Sequence, residues 1–243
     1  MIPRRTLIIC LWCLMALANP SWAGQTLLVK GMEAQKAGRN EEALRLLNKY
    51  VDRYPQINEA RYYRALAFNG LGRKKEALED VDKALADNPN NAKALMLKGN
   101  LLVDLERRPE AILIYSQVLK CEPRNAEACK LRGDCWAQEG KFDEAMADLN
   151  LAVRMAPRDP GVYHSRGMAY FCQGEYQKAV DDFSRAISLK PNLGISYFLR
   201  GNIYRYHLDQ QDKAIADFQE GCRLESTLCC QELEKMGINP EKK

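Results

Sequence analysis

The chain has 243 residues, 47% of them apolar and 28% charged, a balance that supports a substantial core and excludes a disordered or collagen-like polymer. Its 36 basic residues against 32 acidic ones give a net charge of +4. No basic stripe or RNA-binding signature accompanies that small excess, so nucleic acid is not an expected partner.

In chain order, Arg4 and Arg5 precede an apolar run from Leu7 to Ala18, and Asn19-Pro20-Ser21-Trp22-Ala23-Gly24 then supplies a helix breaker and a small-x-small site. This reads as a secretory signal peptide over residues 1–23, cut after Ala23. The run is short of the roughly 20 residues a membrane span requires, so no stable membrane insertion is expected after cleavage, a retained short anchor being the alternative. The expected location is exported, periplasmic or secreted.

Beyond it the chain repeats. Proline stands at 55, 89, 123, 157 and 191, and alanine at 43, 77, 111, 145 and 179, both at intervals of 34 residues. Small residues keep the same step at Gly31, Ala65, Gly99, Gly133, Gly167 and Gly201. A fixed period of this length means stacked supersecondary elements that bury their apolar faces on one another. Each repeat reads as two helices. In the fifth, Tyr163, Gly167 and Tyr170 form an i, i+4, i+7 stripe that Gly174 ends; Ala179, Phe183 and Ala186 form the second, which Pro191 stops. Asn91, Asn125 and Asp159 are placed as N-caps of the next first helices, and Pro109 and Pro160 fall near helix starts, where proline is tolerated.

These landmarks resemble the tetratricopeptide repeat family: an aromatic or apolar residue at the fourth place, a small one at the eighth, an aromatic at the eleventh, alanine at the twentieth and twenty-seventh, and proline at the thirty-second. The resemblance covers 24–57, 58–91, 92–125, 126–159, 160–193 and 194–225. It implies an all-α fold, a right-handed superhelical solenoid of about six helix-turn-helix repeats. A capping helix is expected over 226–236, with Leu228 and Met236 inward and Glu232, Glu234 and Lys235 mostly outward, then a tail over 237–243. The sixth repeat departs from the pattern through an extra residue between Tyr204 and Ala214, a loop without glycine and Ser226 in place of proline; the first has Tyr50 where alanine is usual.

The seventh place is basic throughout: Lys30, Arg64, Lys98, Arg132, Arg166 and Arg200. Where it is arginine, the second helix carries Asp80, Asp148, Asp182 or Asp217; where it is lysine, Leu46 or Ile114. That correlation predicts structural bridges between paired helices, because a guanidinium engages a carboxylate through two bonds and an ammonium does not.

The family resemblance implies a concave groove lined by the first helices. Carried onto this chain, its places give Tyr62, Leu66 and Asn69; Met96 and Asn100; Lys130 and Asp134; His164, Met168 and Phe171; and Phe198, Asn202, Arg205 and Tyr206. Aromatic, thioether and amide groups together suit a peptide segment. The same places also serve packing between repeats. The carboxylate-gripping pattern of chaperone-tail receptors is absent, since Asn100 and Asn202 are preceded at the fifth place by Met96 and Phe198, and Leu131 stands at the sixth place of the next repeat.

Seven cysteines follow the signal segment. Cys121 with Cys129 and Cys222 with Cys229 are spaced for short disulfides, or are free thiols packed as small apolar groups. No cofactor is expected and no metal: His164, Met168 and Cys172 at i, i+4, i+8 spread over about 12 Å of helix, too far for one ion. With two histidines and no nucleophile or phosphate-loop motif, the chain is not expected to be an enzyme. The function expected is a protein-interaction scaffold or adaptor taking a partner segment in the groove. The alternatives are an accessory subunit of an envelope enzyme or assembly complex and a self-associating solenoid, making a homo-oligomer.

Overall fold

A computed structural model describes residues 21–239, with side chains from Gly24 onward. The expected signal segment lies outside the described residues up to position 20, as do the last four residues of the tail. Thirteen α-helices and no strand make up the described residues: α1 (Ser21–Lys36), α2 (Asn40–Arg53), α3 (Glu59–Gly70), α4 (Lys74–Asp87), α5 (Ala92–Asp104), α6 (Arg108–Cys121), α7 (Ala126–Gln138), α8 (Phe142–Met155), α9 (Pro160–Cys172), α10 (Tyr176–Leu189), α11 (Gly194–Tyr206), α12 (Gln211–Arg223) and α13 (Thr227–Lys235). They fall into two compact bodies, one ending at Arg107 and one starting at Arg108. In the first, α1 pairs with α2 and α3 with α4, and α5 packs on α4. In the second, α7 pairs with α8, α9 with α10 and α11 with α12, while α6 packs on α7 and α13 on α12.

The turn between paired helices follows from one left-handed residue. Gly38, Gly72, Gly140 and Gly174 have φ of 72° to 77°, and the following amide reaches back to the first helix, as in Arg73 N–H to the Phe68 carbonyl (2.9 Å) and Glu175 N–H to the Tyr170 carbonyl (2.9 Å). This is the Schellman closure that glycine adopts without steric cost. In the third repeat Glu106 takes the same conformation at φ 61°, and Arg107 N–H closes on the Leu102 carbonyl at 2.8 Å. Asn91 and Asn125 cap α5 and α7 by accepting from the amides of Ala94 and Ala128, and Asp159 caps α9 through Gly161.

Close helix approach explains the small eighth place. A Cβ on Gly31, Gly133, Gly167 or Gly201 would meet Leu47 at 2.8 Å, Leu149 at 2.8 Å, Phe183 at 3.1 Å or Phe218 at 2.6 Å. The second repeat carries the smaller Val81 at that opposing place and tolerates Ala65.

The four arginine bridges are present, each through two bonds: Arg64 to Asp80 (2.6 and 2.8 Å), Arg132 to Asp148 (2.7 and 2.7 Å), Arg166 to Asp182 (2.7 and 2.8 Å) and Arg200 to Asp217 (2.8 and 2.6 Å). A further regularity joins consecutive repeats. The remaining guanidinium nitrogen donates to the preceding repeat's second helix, at Asn48, Ser116, Asn150 and Ser184 (2.7 to 2.9 Å). Lys98 reaches the same place, where the preceding repeat carries Asp82 instead (2.7 Å). The counter-charge thus moves from the same repeat to the previous one when arginine becomes lysine.

Two expectations at the C-terminal end are corrected. Cys229 and Leu233 of α13 are buried one helical turn apart in a cluster with Ala214 and Phe218, and they set the helix's rotation. That rotation leaves Leu228 43% exposed, buries Glu232 and brings in Met236 only partly. It also turns Cys229 toward Gly221, whose added Cβ would collide with its sulfur, and leaves the neighbouring Cys230 to form the disulfide with Cys222. Cys121 and Cys129 are unbridged, because Cys129 is buried with Ala152 and Val162 while Cys121 is exposed.

Candidate partner-binding face

The residues expected to line a groove sit on the first helix of each pair. In the first body, α3 holds Tyr62, Leu66 and Asn69 half-buried, and α5 holds Met96 half-buried and Asn100 exposed. Tyr62 opens into a cavity of about 500 Å³ shared with Ile57, Tyr63, Asp87 and Asn88. Leu66 and Asn69 do not line it.

In the second body, three of the expected residues meet. Asp134 of α7 and His164 and Met168 of α9 line a cavity of about 270 Å³, together with Ala137, Gln138, Ser165, Ala169 and Cys172. The helical period produces this, since Asp134 and Gln138 are one turn apart on α7 and His164, Met168 and Cys172 are one turn apart on α9, which packs on α7. Asp134 accepts a hydrogen bond from the Ser165 hydroxyl at 3.0 Å. Burial pushes its carboxyl up to about 6, against the weaker opposing pull of Ser165 and Lys130. The His164 ring lies 3.3 Å from the Ser196 hydroxyl and edge-on to Phe183; burial, and then the Lys130 charge, push its pKa below the ordinary value. Lys130 itself is turned to Glu127 at 2.8 Å.

The other expected residues have different surroundings. Phe171 contacts the rings of Tyr176 and His207 and packs on the cluster of Val180, Phe183 and Ile203. Phe198 packs against the cluster of Ala214, Phe218, Cys229 and Leu233. The Asn202 side-chain oxygen is buried without a hydrogen-bond partner. Arg205 and Tyr206 both donate to the Glu232 carboxylate of α13, at 2.8 and 2.9 Å. Burial pushes that carboxyl up, but its bonds to Lys235, Tyr206 and Arg205 hold it below the usual range. The last part of the expected face is therefore engaged by the chain's own terminal helix.

Sequence reasoning missed Ser165 and Glu232. Ser165 had a signal: it occupies the sixth place, which elsewhere is Val29, Tyr63, Leu97, Leu131 and Leu199. Nothing in the spacing distinguished Glu232 from its exposed neighbours. The thiol of Cys135 is pushed up to about 11 by burial and that of Cys129 is raised for the same reason, which makes both poor nucleophiles. Among the described residues no cluster of three metal-ligating side chains occurs and no helix is long and apolar enough to cross a membrane.

Comparison with known proteins gives a consistent result. Models of the tetratricopeptide repeat match residues 28–92, 96–160 and 160–193. Similar solved structures include PilW, described as a widely conserved type IV pilus biogenesis factor, at 20% identity and a TM-score of 0.78, covering 87% of this chain and 99% of PilW. A tetratricopeptide repeat protein from Parabacteroides merdae ATCC 43184 aligns at 24% identity and 0.71, covering 91% of this chain and 86% of its own. YrrB, described as a TPR protein with an unusual peptide-binding site, aligns at 19% identity and 0.58, covering 78% and 97%. At these identities the likeness speaks for the fold. No curated protein matches the sequence.

Proposed function

The chain belongs to the tetratricopeptide repeat family, and we propose that it acts as a non-catalytic adaptor that holds a segment of a partner protein on the face of its first helices, in an exported compartment. The observation that carries this is the cavity between α7 and α9, where an apolar wall of Ala137, Met168 and Ala169 stands beside the polar groups of Asp134, Ser165 and His164. Pockets that combine apolar anchoring with a few placed polar groups are what side chains of a bound segment enter. YrrB, similar in fold, is described by a peptide-binding site, which supports a peptide as the ligand. Three things support export: the Arg4, Arg5 and apolar run, the Cys222–Cys230 disulfide, of a kind that persists in oxidising compartments, and the likeness to a pilus biogenesis factor.

Site-specific photocrosslinking in the native cell tests this reading. A benzophenone side chain at Met168 is expected to yield adducts with a second protein, while the same group at exposed Arg154 and Lys178 on α8 and α10 yields none. Adducts only from Arg154 and Lys178 would refute the first-helix face as the working surface. Adducts only with further copies of this chain would make it a self-associating protein.

A further inference from the structure

We propose that the α7–α9 cavity receives one cationic side chain, a lysine or arginine of the bound segment, with the Asp134 carboxylate as its counter-charge. This rests on the adaptor reading and names the chemistry of its ligand. Among the described residues, five carboxylates are buried, Asp80, Asp148, Asp182, Asp217 and Glu232. Each is bound by an arginine, respectively Arg64, Arg132, Arg166, Arg200 and Arg205. Asp134, half-buried beside the cavity, has no such arginine: its one hydrogen-bond partner is the neutral Ser165 hydroxyl, and it makes no ion pair among the described residues.

The cations near it are committed elsewhere. Lys130 pairs with Glu127, Arg132 holds Asp148 and Ser116, and Arg108 donates to Gln138 at the cavity's edge (2.6 Å). His164, on the facing helix, is shifted toward its neutral form. A carboxylate left unpaired in a partly dry cavity is the position that an incoming cation stabilises most. The shape agrees. Lysine and arginine carry an apolar stem and a charged end, and this cavity has apolar walls at Ala137, Met168 and Ala169 with Asp134 and Ser165 as its polar part. An acidic or neutral anchor would leave the carboxylate unpaired and desolvate it further.

Binding then follows pH in a fixed direction. The cation needs the ionised carboxyl, which in the free protein titrates at about 6, so affinity rises as pH passes upward through that value. Between pH 5 and pH 7 the ionised fraction rises about tenfold. The groups facing Asp134 are Glu127 and Lys130 on its own helix and Ser165 and His164 on α9. Protonation of His164 at low pH would repel the ligand and reinforce the same trend.

The experiment is a decapeptide array of randomised sequence probed with the full chain and with Asp134→Asn, which is isosteric and still accepts from Ser165. The wild type is expected to select peptides containing lysine or arginine. Replacing the selected base by norleucine should weaken binding about tenfold or more, and Asp134→Asn should weaken binding equally, with no further loss when both changes are combined. The variant should also lose the tenfold difference between pH 5 and pH 7. Identical selection by the wild type and Asp134→Asn, or norleucine accepted without loss, overturns the proposal. If such base-indifferent binding is abolished by Met168→Glu, the adaptor reading survives and only the cationic pocket falls. An array that binds nothing overturns both.

Discussion

Removing the Asp182 carboxylate tests whether the arginine bridges hold the repeats together or merely decorate them. Arg166 gives two bonds of 2.7 and 2.8 Å to Asp182 and one of 2.9 Å to Asn150 of the preceding repeat, and the two side chains are 19% and 8% exposed. In Asp182→Asn the guanidinium keeps its desolvation but loses its counter-charge. Breaking a fully buried pair costs about 3 to 5 kcal/mol, and the residual exposure of Arg166 brings the expected loss to about 2 to 3 kcal/mol. Replacing both, as Arg166→Met with Asp182→Leu, removes the charge problem and should return stability to within about 1 kcal/mol of the wild type. The assay is urea unfolding followed by far-ultraviolet circular dichroism, with hydrogen exchange on α9 and α10 to locate the loss. The loss should persist in high salt, because a pair shielded from solvent is poorly screened. A cost below about 0.5 kcal/mol, the worth of an exposed pair, or a double variant as unstable as the single, would refute the reasoning.

Three further outcomes are expected. Gly201→Ala places a Cβ 2.6 Å from the Phe218 ring against 3.1 Å from Phe183 in Gly167→Ala. The first should therefore lose about 1 to 2 kcal/mol after the helix-propensity gain while the second stays near neutral; equal urea midpoints would contradict the steric account. Glu106→Gly relieves a left-handed residue at φ 61° and should stabilise the chain by about 0.5 to 1 kcal/mol, net of the extra freedom glycine has when unfolded; a lower melting temperature would contradict that. The carboxyl of Asp134 stands at about 6 in the folded chain against an ordinary 3.8, so the folded form holds the proton more tightly. Its contribution to stability is full below about pH 4 and is lost as pH rises to about 6. Asp134→Asn should thus gain about 2 to 3 kcal/mol on the wild type at pH 7 and little at pH 4. Parallel unfolding curves at both pH values would contradict the shift.

The repeat architecture was legible because its determinants are local and recur. Prolines that stop second helices, glycines that reverse the chain and arginines that track aspartates each announce themselves several times over. Chemistry that occurs once was harder to read. Whether Cys222 meets Cys229 or Cys230 depends on the rotation of α13, which Leu233 and Cys229 set by packing on Phe218 and Ala214. That is a tertiary contact with no counterpart in the earlier repeats. The same rotation buries Glu232 and exposes Leu228, against their hydrophobicity. For the binding face, the period places Asp134, His164 and Met168 on the right sides of α7 and α9 but does not show that Phe198 packs on the terminal cluster. The side-chain partners of Arg205 and Tyr206 were hidden for the same reason: they come from a helix outside the repeat.

The alternation between Asn or Ser and Asp on the second helices sets an order in which these repeats can be joined. An arginine repeat carries its own aspartate and asks its predecessor for a neutral acceptor, whereas the lysine repeat that starts at residue 92 has Ile114 in the aspartate's place and draws its counter-charge from Asp82. If that repeat were transplanted behind one whose second helix carries Ser116 or Asn150 at the matching place, Lys98 would arrive with no anion; if an arginine repeat were set behind the one that carries Asp82, one guanidinium would face two carboxylates. Shuffling or duplicating units in an engineered array therefore means moving each boundary as a matched pair, so the interchangeable module runs from the second helix of one repeat to the first helix of the next.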